Sequence, residues 1–184
     1  MEAELPAAMS LGFAKLADAA ESTARDLLPD WEETAPTPVH GDLRAENCLT
    51  SFGQVGLLDW EMFGLGDPAL DAATFLHWNG QLVTGEGADS WLDIYLTSFD
   101  HPGMETRIAL YRCLLPLRDL CFLLDGVIRW RQMPASADAV GDNLAYLQAT
   151  LTAAWQRAAA ALGVQDEQLD ATVYSLFDLR TEQR

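Results

Sequence analysis

The apolar positions of the chain fall mostly into helical stripes. A mixed stripe from about Leu11 to Leu28 predicts a leading helix. A longer run from about Glu105 to Arg131 is apolar almost all round, which is typical of a central buried helix, and Pro116 stands inside it. Apolar stripes also predict helices over residues 142–162 and about 166–179. The pattern therefore predicts a mainly helical protein.

Two short β-prone runs interrupt the helical pattern. Residues 48–50 and 55–58 are separated by a turn-like segment of four residues that contains Gly53, which predicts a β-hairpin. If Thr50 pairs with Val55, Asn47 and Asp59 meet at the open end of the hairpin, with paired β-carbons about 5 Å apart. The fold class that we expect is therefore α+β, mainly α.

A third helix is predicted directly after the hairpin. Asp67 is a suitable N-cap and Pro68 a suitable first residue, and Gly80 is a suitable end. Asp71 lies one turn into this helix, from where its carboxylate could turn back to the backbone of the loop before the hairpin. Gly64 to Pro68 is expected to be a turn, and Ser90 is expected to begin the next helix.

The loop and the hairpin concentrate residues that carry chemistry. Asn47 and Asp59 offer hard oxygen ligands at one rim, which suits Mg²⁺, an ion that leaves its other positions to water and phosphate. Asp42 lies beside this rim, where a carboxylate could orient a hydroxyl and accept its proton during phosphoryl transfer. His40 could itself be a general base, but we favour a hydrogen-bonding role that fixes the loop.

Composition narrows the classes of partner. The formal charge of −17 argues against nucleic acid, since phosphate backbones need a basic footprint. It suits a cationic substrate, although acidity that only maintains solubility explains it equally well. No long apolar run and no secretory signal is present in the sequence, so we expect a cytoplasmic protein without a membrane partner. Cys48, Cys113 and Cys121 are expected to be reduced, buried thiols.

The polar residues of this region form a recognisable set. They are His40-Gly41-Asp42, Asn47, Asp59-Trp60-Glu61, Gly66-Asp67-Pro68 and Asp71. Their identity and spacing resemble the signature block of the aminoglycoside phosphotransferase and choline kinase-like family, which is related to protein kinases. The resemblance implies transfer of the γ-phosphoryl group of ATP, with Mg²⁺, to a hydroxyl of a small molecule, for which cations such as an aminoglycoside or a choline-like compound are candidates.

The resemblance also assigns roles to individual residues. It makes Asp42 the catalytic base, Asn47 and Asp59 the Mg²⁺ ligands, and Arg44 a cation near the transferred phosphoryl group. It gives bracing roles to three further residues, His40, Asp67 and Asp71. Glu61 is left between bracing and contact with substrate.

Only the C-terminal lobe of such an enzyme is covered by the resemblance, namely a catalytic loop and β-hairpin packed on a helical bundle. Before His40 the chain has one glycine, Gly12, and its only lysine is Lys15, in a helical pattern. We therefore expect the N-terminal nucleotide lobe to be absent, separately encoded as a partner polypeptide, or cut from the gene model, and the isolated chain to be slow or inactive. Two alternatives stay open: a non-catalytic binding or regulatory module with this fold, and metal-dependent phosphoester hydrolysis without ATP.

We expect one domain over residues 1–184. Within it, residues 1–36 form a leading helix and connector, residues 37–80 form the catalytic loop, hairpin and following helix, and residues 81–184 form a helical subdomain on the substrate side.

Overall fold

The computed structural model describes residues 5–27, 35–80, 82–83, 85–99, 101–132, 140–165 and 173. This part of the chain is mainly helical, as the apolar pattern predicted. Its helices are α1 (Ala7–Leu27), α2 (Pro68–Asn79), α3 (Glu86–Ser98), α4 (Met104–Gln132) and α5 (Val140–Ala161). The helix predicted over residues 166–179 lies outside the described residues apart from Val173.

Four short strands form two antiparallel pairs within the described residues. They are β1 (Thr37–Val39), β2 (Cys48–Ser51), β3 (Gln54–Leu57) and β4 (Gly64–Gly66). The predicted hairpin is confirmed as β2–β3, with Thr50 opposite Val55. The second pair, β1–β4, corrects the expectation that Gly64 to Pro68 is a turn. Gly66 lacks a Cβ, and one placed there would meet Val39 Cγ2 at 3.1 Å, so glycine lets these two strands approach closely.

The chain divides into two compact units, with boundaries after Thr23 and inside α4 after Arg112. The unit of residues 1–23 and 113–184 is organised around an apolar core from α1, α4 and α5. The most deeply buried members of this core are Met9, Leu16, Leu120, Leu124, Leu151, Trp155 and Ala158. Because Met9 belongs to this stripe, α1 begins at Ala7, one turn earlier than the sequence pattern indicated.

The unit of residues 24–112 contains both strand pairs, α2 and α3. α2 is buried on most sides, and its small residues Ala69, Ala72 and Ala73 let neighbouring backbone approach closely. Asp67 caps α2 as predicted, because its Oδ1 accepts a hydrogen bond from the Ala69 N–H at 3.0 Å. The division of one domain at residues 36 and 80 stays a prediction.

A series of stacked rings covers part of α2 within the same unit. Phe75 of α2 stacks on Trp91 of α3 with ring centroids 4.3 Å apart, and Tyr95 and Phe99 continue the stack at one-turn intervals. The Tyr95 hydroxyl donates to the Pro68 carbonyl at 2.8 Å. α3 begins at Glu86 rather than Ser90, so the Gly85-Glu86-Gly87 segment is the start of a helix.

No helix among the described residues combines the length and the apolar character needed to cross a membrane.

Candidate active site

The loop between β1 and β2 is fixed at its start by the carboxylate of Asp71. Asp71 Oδ2 accepts a hydrogen bond from the His40 N–H at 2.7 Å, and Oδ1 accepts one from the Gly41 N–H at 2.8 Å. Asp71 and His40 are both buried, so these are bonds in a region of low dielectric. One carboxylate on α2 therefore satisfies two consecutive backbone donors of the loop.

The His40 ring has both nitrogens engaged. Nδ1 accepts the Asp42 N–H at 3.3 Å, and Nε2 lies 2.8 Å from the Leu58 carbonyl oxygen. Since a carbonyl can only accept and a backbone N–H can only donate, Nε2 is the donor of the ring and Nδ1 is its acceptor. The ring also contacts Trp60, with centroids 4.7 Å apart. This arrangement joins the loop to the end of the hairpin and leaves no nitrogen of His40 available as a base.

Gly41 allows the loop to pass close to the segment that follows the hairpin. Its φ is +82°, and a Cβ at this position would lie 2.6 Å from the Met62 carbonyl oxygen and 2.9 Å from Met62 Cβ. A side chain there would be strained by the backbone conformation and would also clash with a backbone atom. Glycine is therefore required at this turn by two independent constraints.

We expect Gly41→Ala to lower the free energy of unfolding by about 1–3 kcal/mol, because it combines left-handed backbone strain with the Met62 clash. Urea denaturation measures the loss. Gly53→Ala is the matched control, because Gly53 has φ +76° but no atom within 4 Å of its added Cβ. Equal losses in the two variants would show that the contact with Met62 has no energetic effect.

The two carboxylate oxygens of Asp42 differ in their hydrogen bonds. Oδ2 accepts hydrogen bonds from Arg44 Nε at 3.0 Å, from Arg44 Nη2 and from Asn47 Nδ2 at 3.1 Å. Within the described residues, Oδ1 accepts none. The carboxylate is therefore held firmly by one oxygen while the other can accept a proton.

The Asn47 side chain likewise has one hydrogen-bonded atom and one open atom. Its Nδ2 donates to the backbone carbonyl of Asp42 at 2.9 Å as well as to the carboxylate. Its Oδ1, the atom that could ligate a cation, takes part in no hydrogen bond within the described residues. The Leu58 N–H donates to the Asn47 carbonyl at 2.8 Å, which extends the hairpin pairing by one residue toward Asp59.

Arg44 lies between an anion and an aromatic ring. Its guanidinium pairs with Asp42, and its Cζ lies 5.2 Å from the centroid of the Trp78 ring. The hydrogen bond to Asp42 raises the pKa of Arg44 above its ordinary value, and the nearby charges of Asp42, Glu46 and Asp59 raise it further, although partial burial opposes them. The side chain is a permanent cation beside the candidate base.

Asp59 and Glu61 stand outside this hydrogen-bonded network. Asp59 adopts a left-handed backbone conformation, with φ 60° and ψ 62°, at the start of a 3-10 helix over Trp60–Met62. It makes no side-chain capping bond there, and its side chain is exposed. Glu61 is exposed too, and within the described part of the chain it makes no hydrogen bond that would brace the loop.

The donor set of the site suits an ion that arrives with its own ligands. Among the described residues, no group of three or more His, Cys, Asp or Glu side chains could hold a metal alone. Asn47 Oδ1 and the Asp59 carboxylate are oxygen ligands on the two strands at the open end of the hairpin, and neither accepts a hydrogen bond from any residue that the structure describes. This sparse oxygen set fits Mg²⁺, which keeps water and phosphate oxygens in its coordination shell.

The N-terminal turn of α2 is braced by a buried ion pair. Asp67 Oδ2 accepts from Arg107 Nε at 2.9 Å, and the Tyr111 hydroxyl lies 3.5 Å from the same oxygen. Burial and then the Asp67 charge raise the pKa of Tyr111, while burial and then the charges of Asp71 and Asp67 raise the pKa of Tyr95. Both phenols therefore stay protonated donors at neutral pH.

Sequence reasoning missed three residues that contact the loop or its support. Asn79 Oδ1 accepts the Ala45 N–H at 3.0 Å, Trp78 faces Arg44, and Arg107 pairs with Asp67. In the sequence, Asn79 stands directly before Gly80, which indicates a helix end and not a contact with the loop. The partners of Trp78 and Arg107 lie 34 and 40 residues away, and no local pattern indicates them.

The comparisons with known proteins identify the family of the chain. Residues 2–110 match the sequence model described as APH, phosphotransferase enzyme family, which is more than half of the chain. The chain belongs to this phosphotransferase family.

A solved structure with a similar fold is that of a choline/ethanolamine kinase family protein from Mesorhizobium loti, with a TM-score of 0.60 and 17% sequence identity. The match covers 94% of this chain and 51% of that protein, so the chain spans about half the length of the structure it matches. No curated protein matches the chain significantly.

Proposed function

We propose that the chain is the catalytic, C-terminal lobe of an ATP-dependent phosphotransferase that acts on a hydroxyl of a small molecule. Membership of the phosphotransferase family supports the reaction class. The observation that carries the proposal is the Asp42 carboxylate, whose Oδ2 is held by Arg44 and Asn47 while Oδ1 accepts no bond among the described residues. A fixed carboxylate with one open oxygen is what orientation of an attacking hydroxyl requires.

The proposed reaction uses each residue of the loop in a defined way. The acceptor hydroxyl donates its hydrogen bond to Asp42 Oδ1, its oxygen attacks the γ-phosphorus, the bond to the β-phosphate oxygen breaks, and the proton passes to Asp42. Mg²⁺, when bound with ATP, neutralises phosphate charge, and Asn47 and Asp59 are the residues that would hold it. Arg44 places a positive charge beside the transferred group, and Asp71 and His40 keep the loop in place.

A cation is the acceptor class that we favour. The formal charge of the chain is −17, and the unit that holds the site carries exposed acids at Glu61, Glu86 and Asp89. Negative potential around a cleft raises the local concentration of a positively charged substrate. An amino alcohol or an aminoglycoside combines such a charge with the hydroxyl that the reaction needs.

We also propose that a nucleotide-binding lobe packs on the hairpin and the segment after it. The hairpin and the segment after it leave large apolar side chains exposed around Asn47 and Asp59; they are Leu49, Phe52, Val55, Leu58, Trp60, Met62, Phe63 and Leu65. A two-stranded hairpin is only marginally stable in water by itself, and apolar exposure on this scale is typical of a docking surface. Without that lobe, we expect slow turnover because half of the positioning contacts are missing.

Calorimetric titration of the chain with ATP, with and without Mg²⁺, tests the proposed function. We expect Mg²⁺-dependent binding that Asp59→Ala weakens at least about tenfold, since even residues behind a metal ligand contribute 10–100-fold. Asp42→Asn should bind Mg-ATP like the native chain and lose transfer to an acceptor.

Asp93→Ala, an exposed aspartate of α3, is the matched control and should bind normally. If neither the native chain nor Asp59→Ala binds ATP, the proposed function is wrong and a non-catalytic module that keeps the fold is the better interpretation.

A further inference from the structure

α2 contacts the catalytic loop at two places, one near each end of the helix. In its first turn Asp71 holds the N–H groups of His40 and Gly41, and in its last turn Asn79 accepts the Ala45 N–H. Eight residue steps from Asp71 to Asn79 rise about 12 Å along the helix, and the four steps from Gly41 to Ala45 can span at most about 13 Å. The loop is therefore long enough to reach both contacts on α2.

Near the C-terminal end of α2, hydrogen bonds fix the peptide group between Arg44 and Ala45. Asn79 is buried, and its side chain is fixed because Nδ2 donates to the Phe75 carbonyl at 2.8 Å while Oδ1 accepts from Ala45. The Arg44 carbonyl accepts from the Asn47 N–H at 3.0 Å and from Cys48 Sγ at 3.2 Å. Arg44 itself is extended, with φ −127° and ψ 158°. Its backbone therefore has one defined position.

The side chain of Arg44 is fixed by Trp78, the residue next to Asn79. The guanidinium faces the Trp78 ring at 5.2 Å, within the range of a cation–π contact, and the His77 ring meets Trp78 edge to face at 5.3 Å. A guanidinium that is free in solvent loses rotamer entropy when it is ordered at a ligand. The ion pair with Asp42 uses two guanidinium nitrogens, Nε and Nη2. The Trp78 contact is not a hydrogen bond, so it orders the side chain and leaves the remaining N–H donors for a phosphoryl group.

We propose that Trp78 and Asn79, at the C-terminal turn of α2, are positioning residues that hold Arg44 where the transferred phosphoryl group is contacted. This proposal rests on the proposed function and deepens it, because it identifies what orders the cation at the site. Both residues act through Arg44 and neither needs to touch substrate. Nothing local in the sequence marks Trp78 for this role, since it looks like an ordinary aromatic residue near a helix end.

Nuclear magnetic resonance of the nucleotide-free chain tests the positioning itself. The Arg44 Nε–H resonance should lie upfield because of the Trp78 ring current. It should return to an ordinary shift in Trp78→Leu and keep part of the displacement in Trp78→Phe. The Ala45 amide should exchange with solvent at least about tenfold faster in Asn79→Ala, because it loses its acceptor. Trp78 is 43% exposed, so its variants should fold. An unchanged Arg44 resonance in Trp78→Leu would overturn the proposal.

The affinities for Mg-ATP and Mg-ADP test whether this positioning serves the phosphoryl group. We expect Trp78→Leu to weaken Mg-ATP binding about two- to fivefold and to leave Mg-ADP binding unchanged. Arg44→Ala should show the same preference for ATP, and adding Trp78→Leu to Arg44→Ala should cause no further loss. Equal losses for ATP and ADP, or additive losses in the double variant, would contradict the proposal.

The two measurements separate this inference from the function on which it rests. If the native chain binds no Mg-ATP, the proposed function is wrong, and so is the proposed contact of Arg44 with the phosphoryl group. The resonance and exchange data then still decide whether Trp78 and Asn79 fix Arg44. If the native chain binds Mg-ATP but the Trp78 variants behave like it in both measurements, the function stands and the positioning role is wrong.

Discussion

Asp71→Ala is expected to lower the free energy of unfolding by about 2–5 kcal/mol, because two loop donors, the N–H groups of His40 and Gly41, lose their acceptor and each unsatisfied buried group costs about 1–3 kcal/mol. The loss should appear in urea denaturation followed by tryptophan fluorescence. Asp71→Asn should fall between the native chain and Asp71→Ala, since its amide keeps one acceptor oxygen but turns an NH₂ group toward the second N–H.

The same carboxylate links stability to the site. With its anchor removed, the loop that carries Asp42 and Arg44 should lose its fixed geometry, and Mg-ATP binding should weaken together with stability. Asp93→Ala provides the control, because Asp93 lies on the exposed side of α3 and its removal should change stability by no more than about 0.5 kcal/mol. Similar losses in Asp71→Ala and Asp93→Ala would mean that the contacts of Asp71 with the loop contribute little.

Local rules predicted the parts of the fold whose determinants are close in sequence. The hairpin register follows from two short β-prone runs around a turn with Gly53, and the structure has the same pairing of Thr50 with Val55. The start of α2 follows from the Asp67-Pro68 pair, which determines the cap and the first helical residue together. In both places the residues that decide the conformation are close in the sequence, within residues 48–57 for the hairpin and at adjacent positions for the start of α2.

Long-range contacts explain what the sequence did not indicate. β1 and β4 pair residues that are 25 or more positions apart in the sequence. Each strand has three residues, which is too short for an alternating pattern to be visible. α3 begins at Glu86, before Ser90, because a tertiary setting can extend a helix through a glycine that propensity disfavours. From the sequence, Asn79 resembles an ordinary helix-end residue. Only the structure shows that its Oδ1 accepts a hydrogen bond from the Ala45 N–H.

The helix that contacts the candidate site is not the one that the sequence pattern predicted to be central. The longest apolar run predicted α4 as the central buried helix, and α4 is long, but the boundary between the two compact units falls inside it. The helix that organises the candidate site is the shorter α2. Asp67 caps this helix, Asp71 binds the start of the loop, and Asn79 binds the end of the loop.

A comparably large effect is expected from Arg107→Ala, which should destabilise the chain by about 3–5 kcal/mol because it removes one partner of a buried ion pair. Arg107 is fully buried, donates through Nε to Asp67 Oδ2 at 2.9 Å and donates through Nη1 to the Pro102 carbonyl. Without it, the Asp67 carboxylate loses its cationic partner in a mostly buried place at the start of α2. Arg107→Lys should also be destabilised, because one ammonium group cannot make both hydrogen bonds of the guanidinium, to Asp67 and to the Pro102 carbonyl.

Arg129→Ala is the matched control for this ion pair. Arg129 pairs with Asp125 four residues earlier on α4, but the two side chains are 74% and 46% exposed, so its removal should cost no more than about 0.5 kcal/mol. The loss in Arg107→Ala should also persist in 0.5 M salt, since buried pairs are screened little. A double variant, Arg107→Met with Asp67→Asn, should recover part of the loss, because the neutral amide keeps an oxygen for the Ala69 cap and leaves no buried charge unpaired. If the double variant is no more stable than Arg107→Met alone, the loss arises from packing around Arg107 and the charge of Asp67 is not its cause.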